Sequence, residues 1–226
     1  MAEIGIAVQQ QGYGLALDSG TRTVAGNRSG ALVTSSPQSM YDQWLRAGKV
    51  FEAHFATEGG TATIEANAAL DLTEPFFRMT CPSSKILVPI RVLVSPTAVW
   101  VTADAGFIYT ADTDTYNTGG AAPDVRNMAA VSSADSALGT TAMTSVFDGD
   151  SVLTENALTN PRVIHATTFR TGGLFIPFEW NILKGDPMVM LHGTSSFAVA
   201  FQANGALECQ YSVIWAELDK NELVNS

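Results

Sequence analysis

The sequence predicts an all-β protein built as an antiparallel β-sandwich or barrel. Three observations support this prediction: about a dozen short apolar runs alternate with a two-residue period, turn-forming residues separate them, and one segment alone has a convincing helical period. With 226 residues, the chain is long enough for one large β domain with a sizeable core.

Residues 1–48 are predicted to form an extended N-terminal arm followed by one short helix. The first 35 residues show no sustained period and are punctuated by glycines, which favours an arm that orders against a neighbour. Pro37 suits the first helical position, Ser36 can cap the helix, and Gly48 stands just past its end.

Three large side chains on this helix are candidate docking residues for a partner. Tyr41, Trp44 and Leu45 fall on one helical face, and such clustered aromatic and aliphatic side chains often anchor interfaces. Packing of the same face against the protein's own sandwich is the competing interpretation. The sequence leaves both open.

Residues 49–226 are predicted to form the sandwich. Apolar and polar side chains alternate most clearly in five runs, namely Phe51 to Phe55, Ile86 to Val94, Phe175 to Leu183, Phe197 to Phe201 and Cys209 to Trp215. In the third run, the residues predicted to share one apolar face are Ile176, Phe178, Trp180 and Ile182. Glycine, proline and Asn-Gly turns separate the runs.

Residues 104–155 interrupt this rhythm and predict an acidic loop insertion between strands, with a short helix near residues 125–131. Eight carboxylates and one arginine give this segment a net charge of −7, against −10 for the whole chain. Long loops on β scaffolds commonly carry contacts with other molecules.

The composition excludes several functions. Only 15% of the residues are charged, against about 25% in typical soluble domains, which favours a surface partly covered by other subunits. The acidic balance argues against a general nucleic-acid footprint. The longest uncharged stretch, residues 187–207, contains too many polar residues to span a membrane, and the first residues lack a basic signal region.

Catalytic and metal-binding motifs are missing from the sequence. There is no Gly-x-Ser-x-Gly elbow, His-x-His pair, Walker A loop or dinucleotide fingerprint. His54, His165 and His192 lie in strand-like runs, which favours packing roles, although His165 and His192 could still meet across neighbouring strands. We therefore predict no catalytic residues, no metal site and no cofactor.

Three further features have modest structural interpretations. The oxygen-rich run from Asp112 to Gly119 departs from the calcium-loop pattern and favours a solvated acidic turn over a cation site. The tryptophans Trp100, Trp180 and Trp215 are predicted to be core residues, because strand alternation places them on apolar faces. If these side chains were exposed, they would instead favour carbohydrate binding by stacking on sugars. Cys81 and Cys209 are predicted to be reduced core residues.

Four short segments carry a resemblance to a known class of proteins. They are Tyr41 to Ala53 after a glycine-rich arm, Glu74 to Arg78, Ile182 to Asp186 before a strand, and Ser212 to Leu218 near the chain end. Together they resemble virion structural proteins of tailed bacteriophages, in particular jelly-roll proteins that decorate or cement the capsid. The resemblance extends over most of the chain from about residue 37 and implies jelly-roll oligomers, often trimers, with no catalytic residues.

The resulting hypothesis is a non-enzymatic virion protein, made in the host cytoplasm, that decorates or cements a phage capsid. It would bind the major capsid protein multivalently as a homo-oligomer, with a trimer favoured, and would bind neither nucleic acid nor membranes. The main alternative is a receptor- or glycan-binding module of a tail or fibre. A sandwich-fold enzyme or metal-binding cupin relative would require His165 and His192 to converge with a carboxylate.

Overall fold

The computed structural model describes residues 37–55, 62–64, 68–98, 103–112, 116–118, 123–129, 143–145, 154–155, 158–169 and 176–220. The predicted arm, residues 1–35, lies outside the described residues. The elements are α1 (Pro37–Arg46), β1 (Val50–Phe55), β2 (Ala62–Ile64), β3 (Phe77–Thr80), β4 (Lys85–Pro96), β5 (Ala103–Ala111), β6 (Tyr116–Thr118), β7 (Asp124–Asn127), β8 (Met143–Ser145), β9 (Thr154–Glu155), β10 (Arg162–Thr168), β11 (Phe178–Asn181), the 3-10 helix η1 (Ile182–Lys184), β12 (Leu191–His192), β13 (Ser196–Ala203) and β14 (Leu207–Asp219).

Two antiparallel sheets contain most of these strands. The first sheet has the order β11-β4-β14-β1-β7, with β12 also on β4 and β2 also on β14. The second sheet has the order β10-β5-β13-β3-β8, and β6 pairs with β9 in a separate ribbon.

The connections between the two sheets define the fold. The strands β1, β4, β11 and β14 lie in the first sheet, whereas β3, β5, β10 and β13 lie in the second. Taken in chain order, successive members of this set cross between the sheets at every step except from β5 to β10. This arrangement, β1-β14-β4-β11 facing β3-β13-β5-β10, is the double Greek key of a jelly roll. The predicted jelly-roll-like sandwich is therefore confirmed.

Aromatic side chains fill the space between the sheets. Trp180 of the first sheet packs against Phe197 of the second, with ring centroids 5.6 Å apart. Phe178 and Phe201 make a second contact of this kind, edge to face at 5.3 Å. Such contacts join the inner faces of the two sheets, as the two-residue alternation of their sequences requires.

The helix α1 packs on the outer face of the first sheet. Phe51 stacks on Trp215 inside the sandwich, so the alternate residues Val50 and Ile214 point to the outer face, yet both are buried. The helix contacts β1 and η1, and Trp44 packs against the buried cluster that contains these residues. As predicted, the helix begins at Pro37 and ends before Gly48, whose positive φ of 67° suits glycine.

The outer face of the second sheet is covered by the segment before β3. Tyr109 and Ala198 form a small buried cluster on this face, and Leu70 and Leu72 pack against it. The Tyr109 hydroxyl donates a hydrogen bond to the Leu72 carbonyl. The chain itself therefore packs on part of each broad face of the sandwich.

The acidic insertion contributes one strand to each sheet. Its predicted start at residue 104 lies within β5, so the connection between β5 and β10 comprises residues 112–161. Within it, β7 pairs with β1 and β8 pairs with β3, so these two short strands become the terminal strands of their sheets on that side. The prediction of a helix near residues 125–131 is wrong at its start, since Val125 lies in β7 opposite Ala53. Pairing with β1 overrides the local sequence pattern there.

Cys81 and Cys209 are both free and buried, as predicted. Burial raises the pKa of both thiols, so they are poor nucleophiles near neutral pH. Among the described residues, no helix has the length and apolar character required to cross a membrane.

We expect the substitution Gly106→Ala to destabilise the sandwich. A Cβ atom at position 106 would lie 2.7 Å from the ring of Phe178 and 3.0 Å from that of Phe201. Overpacking of this kind costs about 1–3 kcal/mol in the free energy of unfolding, which urea denaturation measures. The double variant Gly106→Ala/Phe178→Leu should lose less stability than the sum of the two single variants. Strict additivity would contradict the contact.

Candidate functional site

One edge of the jelly roll has no further strand paired to it among the described residues. The strand β10 pairs only with β5, while β11 and β12 pair only with β4. We call this surface the open edge and define it as residues 162–168 and 176–192. On the opposite side, β7 and β8 are the terminal strands of the two sheets and likewise pair on one side only among the described residues. Unpaired strand edges are templates for association with other chains.

The open edge also carries the exposed large hydrophobic side chains of the described residues. Val163 is 49% exposed, Ile176 51%, Met188 38% and Met190 56%. Scattered exposed hydrophobic residues are normal, but these all belong to one edge of one sandwich. Ile176 corrects a prediction: it precedes β11 instead of continuing it, so it does not share the buried face of Phe178 and Trp180.

His165 links the two sheets across the open edge. From β10 of the second sheet, its Nδ1 lies 3.6 Å from Asp186 Oδ1, and its ring packs edge to face on Phe178 of the first sheet. The other Asp186 oxygen, Oδ2, accepts a 2.7 Å hydrogen bond from the Asn181 backbone amide. These contacts hold β10 to the turn that follows η1, so the edge is a defined surface.

The imidazole of His165 also lies close to a hydroxyl group, as in catalytic arrangements of a hydroxyl, an imidazole and a carboxylate. His165 Nε2 lies 3.1 Å from Thr167 Oγ1, so a hydroxyl, an imidazole and a carboxylate follow one another. Activation of a hydroxyl nucleophile needs two hydrogen bonds, one between the hydroxyl and the imidazole and one between the imidazole and the carboxylate. The 3.6 Å distance between His165 Nδ1 and Asp186 Oδ1 is longer than that of a hydrogen bond. The hydroxyl belongs to Thr167, which lies on the same strand as His165. This group fits a structural link between the sheets.

The described residues do not bring together the two histidines that a cupin-like metal site requires. His165 lies in the second sheet and His192 in the first, so they do not occupy neighbouring strands of one sheet. No group of three or more His, Cys, Asp or Glu side chains within the described ranges can hold a metal ion. Asp112, from the candidate cation loop, accepts a hydrogen bond from the Asn160 amide, while Asp114 and Gly119 lie outside those ranges.

The tryptophans do not form a sugar-binding platform in the part of the chain that the structure describes. Trp180 and Trp215 have no exposed surface, as predicted for core residues, and Trp100 lies outside the described residues. Stacking on a sugar requires an exposed aromatic face. These two side chains therefore serve the core.

The predicted docking residues Tyr41, Trp44 and Leu45 are half-buried against their own sandwich. Burial raises the pKa of the Tyr41 hydroxyl, and the neighbouring carboxylate of Asp42 raises it further. The arrangement shows packing of the helix on the first sheet. Whether the exposed parts of these side chains also contact a partner stays a prediction.

Comparisons of this chain with family models, curated proteins and solved structures give no match.

An ion pair on the open edge has a pH-dependent signature. Lys184 Nζ lies 2.7 Å from Glu179 Oε1, and this hydrogen bond holds the pKa of Glu179 below its ordinary value. A lowered folded-state pKa stabilises the fold above the unfolded pKa and loses that effect as the pH falls through the folded one. Because the pair is largely exposed, its contribution is at most ~0.5 kcal/mol.

We therefore expect Lys184→Met to raise the Glu179 pKa towards its ordinary value, as measured by NMR titration of the side-chain carboxyl. Lys85→Met is the matched control, because Lys85 pairs with Asp219 instead. An unchanged Glu179 pKa in Lys184→Met would contradict the assigned cause.

Truncation of Trp44 tests how much of the helix face serves the protein's own fold. We expect Trp44→Ala to lower the free energy of unfolding by about 1–3 kcal/mol, below the range for fully buried tryptophans. Gln43→Ala, on the exposed side of the same helix, should change it by less than about 0.5 kcal/mol. Equal stabilities of the two variants in urea denaturation would instead favour a docking role.

Proposed function

We propose that this protein is a non-enzymatic structural subunit of a phage virion that decorates or cements the capsid. It would act as a homo-oligomer that binds the major capsid protein at many equivalent positions, after synthesis in the host cytoplasm. The observation that carries the proposal is the open edge, where a terminal strand of the jelly roll lies beside the exposed large hydrophobic side chains of the described residues.

The chemistry of the described side chains supports an assembly role over catalysis. Four ionisable groups of the open edge make contacts that fix its shape, Glu179 with Lys184 and His165 with Asp186. A general base needs geometry that points at a substrate as well as a suitable pKa. The proposal accordingly includes no cofactor, metal ion, nucleic acid or membrane as a partner.

Multivalency explains how modest contacts suffice for such a role. Each subunit bound on a capsid lattice holds its oligomeric neighbours at a high effective concentration, so weak individual contacts combine into stable attachment. The first 35 residues would reach up to about 115 Å if fully extended, far enough to contact an adjacent subunit. A trimer is the oligomer that the sequence resemblance favours.

The direct test is binding to empty shells assembled from the major capsid protein of the same genome. We expect the full chain to co-sediment with these shells at a saturating, symmetric stoichiometry. A chain lacking residues 1–35 should stay folded, because α1 and every described strand lie after this segment, but it should bind at least about tenfold more weakly through lost multivalent contacts.

Two controls make this test decisive. Circular dichroism and thermal unfolding of the truncated chain establish that the sandwich is intact. Absence of full-chain binding to shells would overturn the capsid proposal, whereas equal binding of both chains would overturn the role of the arm.

A further inference from the structure

We infer that the segment directly ahead of α1, residues 30–36, packs on the exposed methionines Met188 and Met190 of its own subunit. The root of the N-terminal arm would then lie on the open edge, and the arm would leave the sandwich from there. This inference goes beyond the proposed function, since it concerns a contact within one subunit and does not depend on binding to a capsid.

The helix α1 crosses the outer face of the first sheet from the open edge to β1. Its C-terminal end leads into β1 through residues 47–49, and the helix also contacts η1, which follows β11 at the open edge. The order β11-β4-β14-β1 places three strand spacings, about 14 Å, between these two contacts. A helix of 10 residues is about 15 Å long, so the N-terminal end of α1 lies on the η1 side.

A row of buried residues on this face marks the line that the helix follows. Val50 pairs with Ala216, Ala216 pairs with Val88, and none of the three has exposed surface. The next strand along the row is β12, which also pairs with β4. Its register, continued by one residue, puts Met190 beside Val88. Met190 therefore lies at the open-edge end of the row, next to the N-terminal end of the helix.

Met188 and Met190 share an exposed side of the chain between η1 and β12. Met188 is 38% exposed and Met190 56%, whereas Val189 between them packs against the core. Because Met190 is level with Val88, this alternation puts both methionines on the outer face, the side on which α1 lies. Flexible, polarisable thioethers adapt well to an aliphatic segment that covers them. The two side chains form an apolar surface beside the start of the helix.

The residues ahead of α1 provide an apolar match for this surface. Ala31 to Val33 is the apolar run nearest to the helix, and residues 30–36 carry no charge. Even when fully extended, Leu32 lies within about 18 Å of Pro37. The terminal strand β7 is four strand spacings, about 19 Å, from β11 on the other side of the sheet. The run can therefore contact the methionines, whereas the opposite side of the sheet is beyond its reach.

Oxidation by dilute hydrogen peroxide tests this contact, with the initial rate of sulfoxide formation at each methionine measured by mass spectrometry. We expect Met188 and Met190 to oxidise about threefold or more slowly in the full chain than in a chain lacking residues 1–35, because coverage limits access to the thioether. Two other methionines are internal controls. Met79, which is fully buried, and Met128, which is half-buried beside β7, should each oxidise equally fast in both chains.

Two double variants of the full chain locate the contact within the arm. Leu32→Asp/Val33→Asp should oxidise at the two methionines as fast as the truncated chain, because a carboxylate does not pack on an apolar surface. Leu15→Asp/Leu17→Asp is the matched control in a more distant part of the arm and should keep the protection of the full chain. Circular dichroism and thermal unfolding of both variants should stay close to those of the full chain.

Three results would overturn the inference. Equal oxidation of the two methionines in the full and truncated chains would show that residues 30–36 pack elsewhere. Protection that disappears on dilution would assign the contact to the arm of a neighbouring copy. Protection lost in the Leu15 and Leu17 variant but kept in the Leu32 and Val33 variant would assign it to an earlier part of the arm. Binding to capsid shells is a separate measurement, so its failure would leave this contact standing.

Discussion

The central position of β14 is the constraint on which the rest of this structure depends. This last strand pairs with β4 from Cys209 to Asp219 and with β1 from Tyr211 to Ala216 on its other side. It thereby joins the beginning, the middle and the end of the described chain in one sheet. Its inward side chains, such as Trp215 and Tyr211, contact Phe51 and Phe76 across or along the core. Because these pairings are distant in sequence, the first sheet closes only when the whole chain is available.

The sequence predicted the inner part of the fold well, because burial on one face imposes a two-residue period. Burial along the last strand alternates from Leu207 to Val213, after which both faces are buried as far as Leu218. The buried Glu217 carboxylate accepts a hydrogen bond from the Trp215 indole. The helix was predicted from its terminal signals, Pro37 and Gly48, since capping chemistry is local. Features set by local chemistry and by burial are therefore the ones that the sequence reveals.

The sequence did not predict the candidate site, because a sheet edge is a property of pairing between distant segments. Nothing local distinguishes β10, which stays unpaired on one side, from β3, which β8 covers. Val125 is a second residue whose structure depends on a distant segment, since it pairs with β1 where the local sequence predicted a helix. Ile176 continues the apolar alternation of β11, but the strand begins two residues later and leaves it exposed. The alternation identified which residues are apolar without showing where pairing stops.

The distribution of coverage connects the fold to its proposed role. An edge strand with exposed Val163 and without lysine or proline is a liability for a protein that stays alone in solution, because any similar edge can pair with it. On the opposite side, strands from the acidic insertion extend each sheet beyond β1 and β3. The chain also fixes the open edge with contacts between His165, Phe178 and Asp186. A surface that is apolar, unpaired and yet held in a defined shape is preorganised for association, since little conformational entropy remains to be lost when a partner strand arrives.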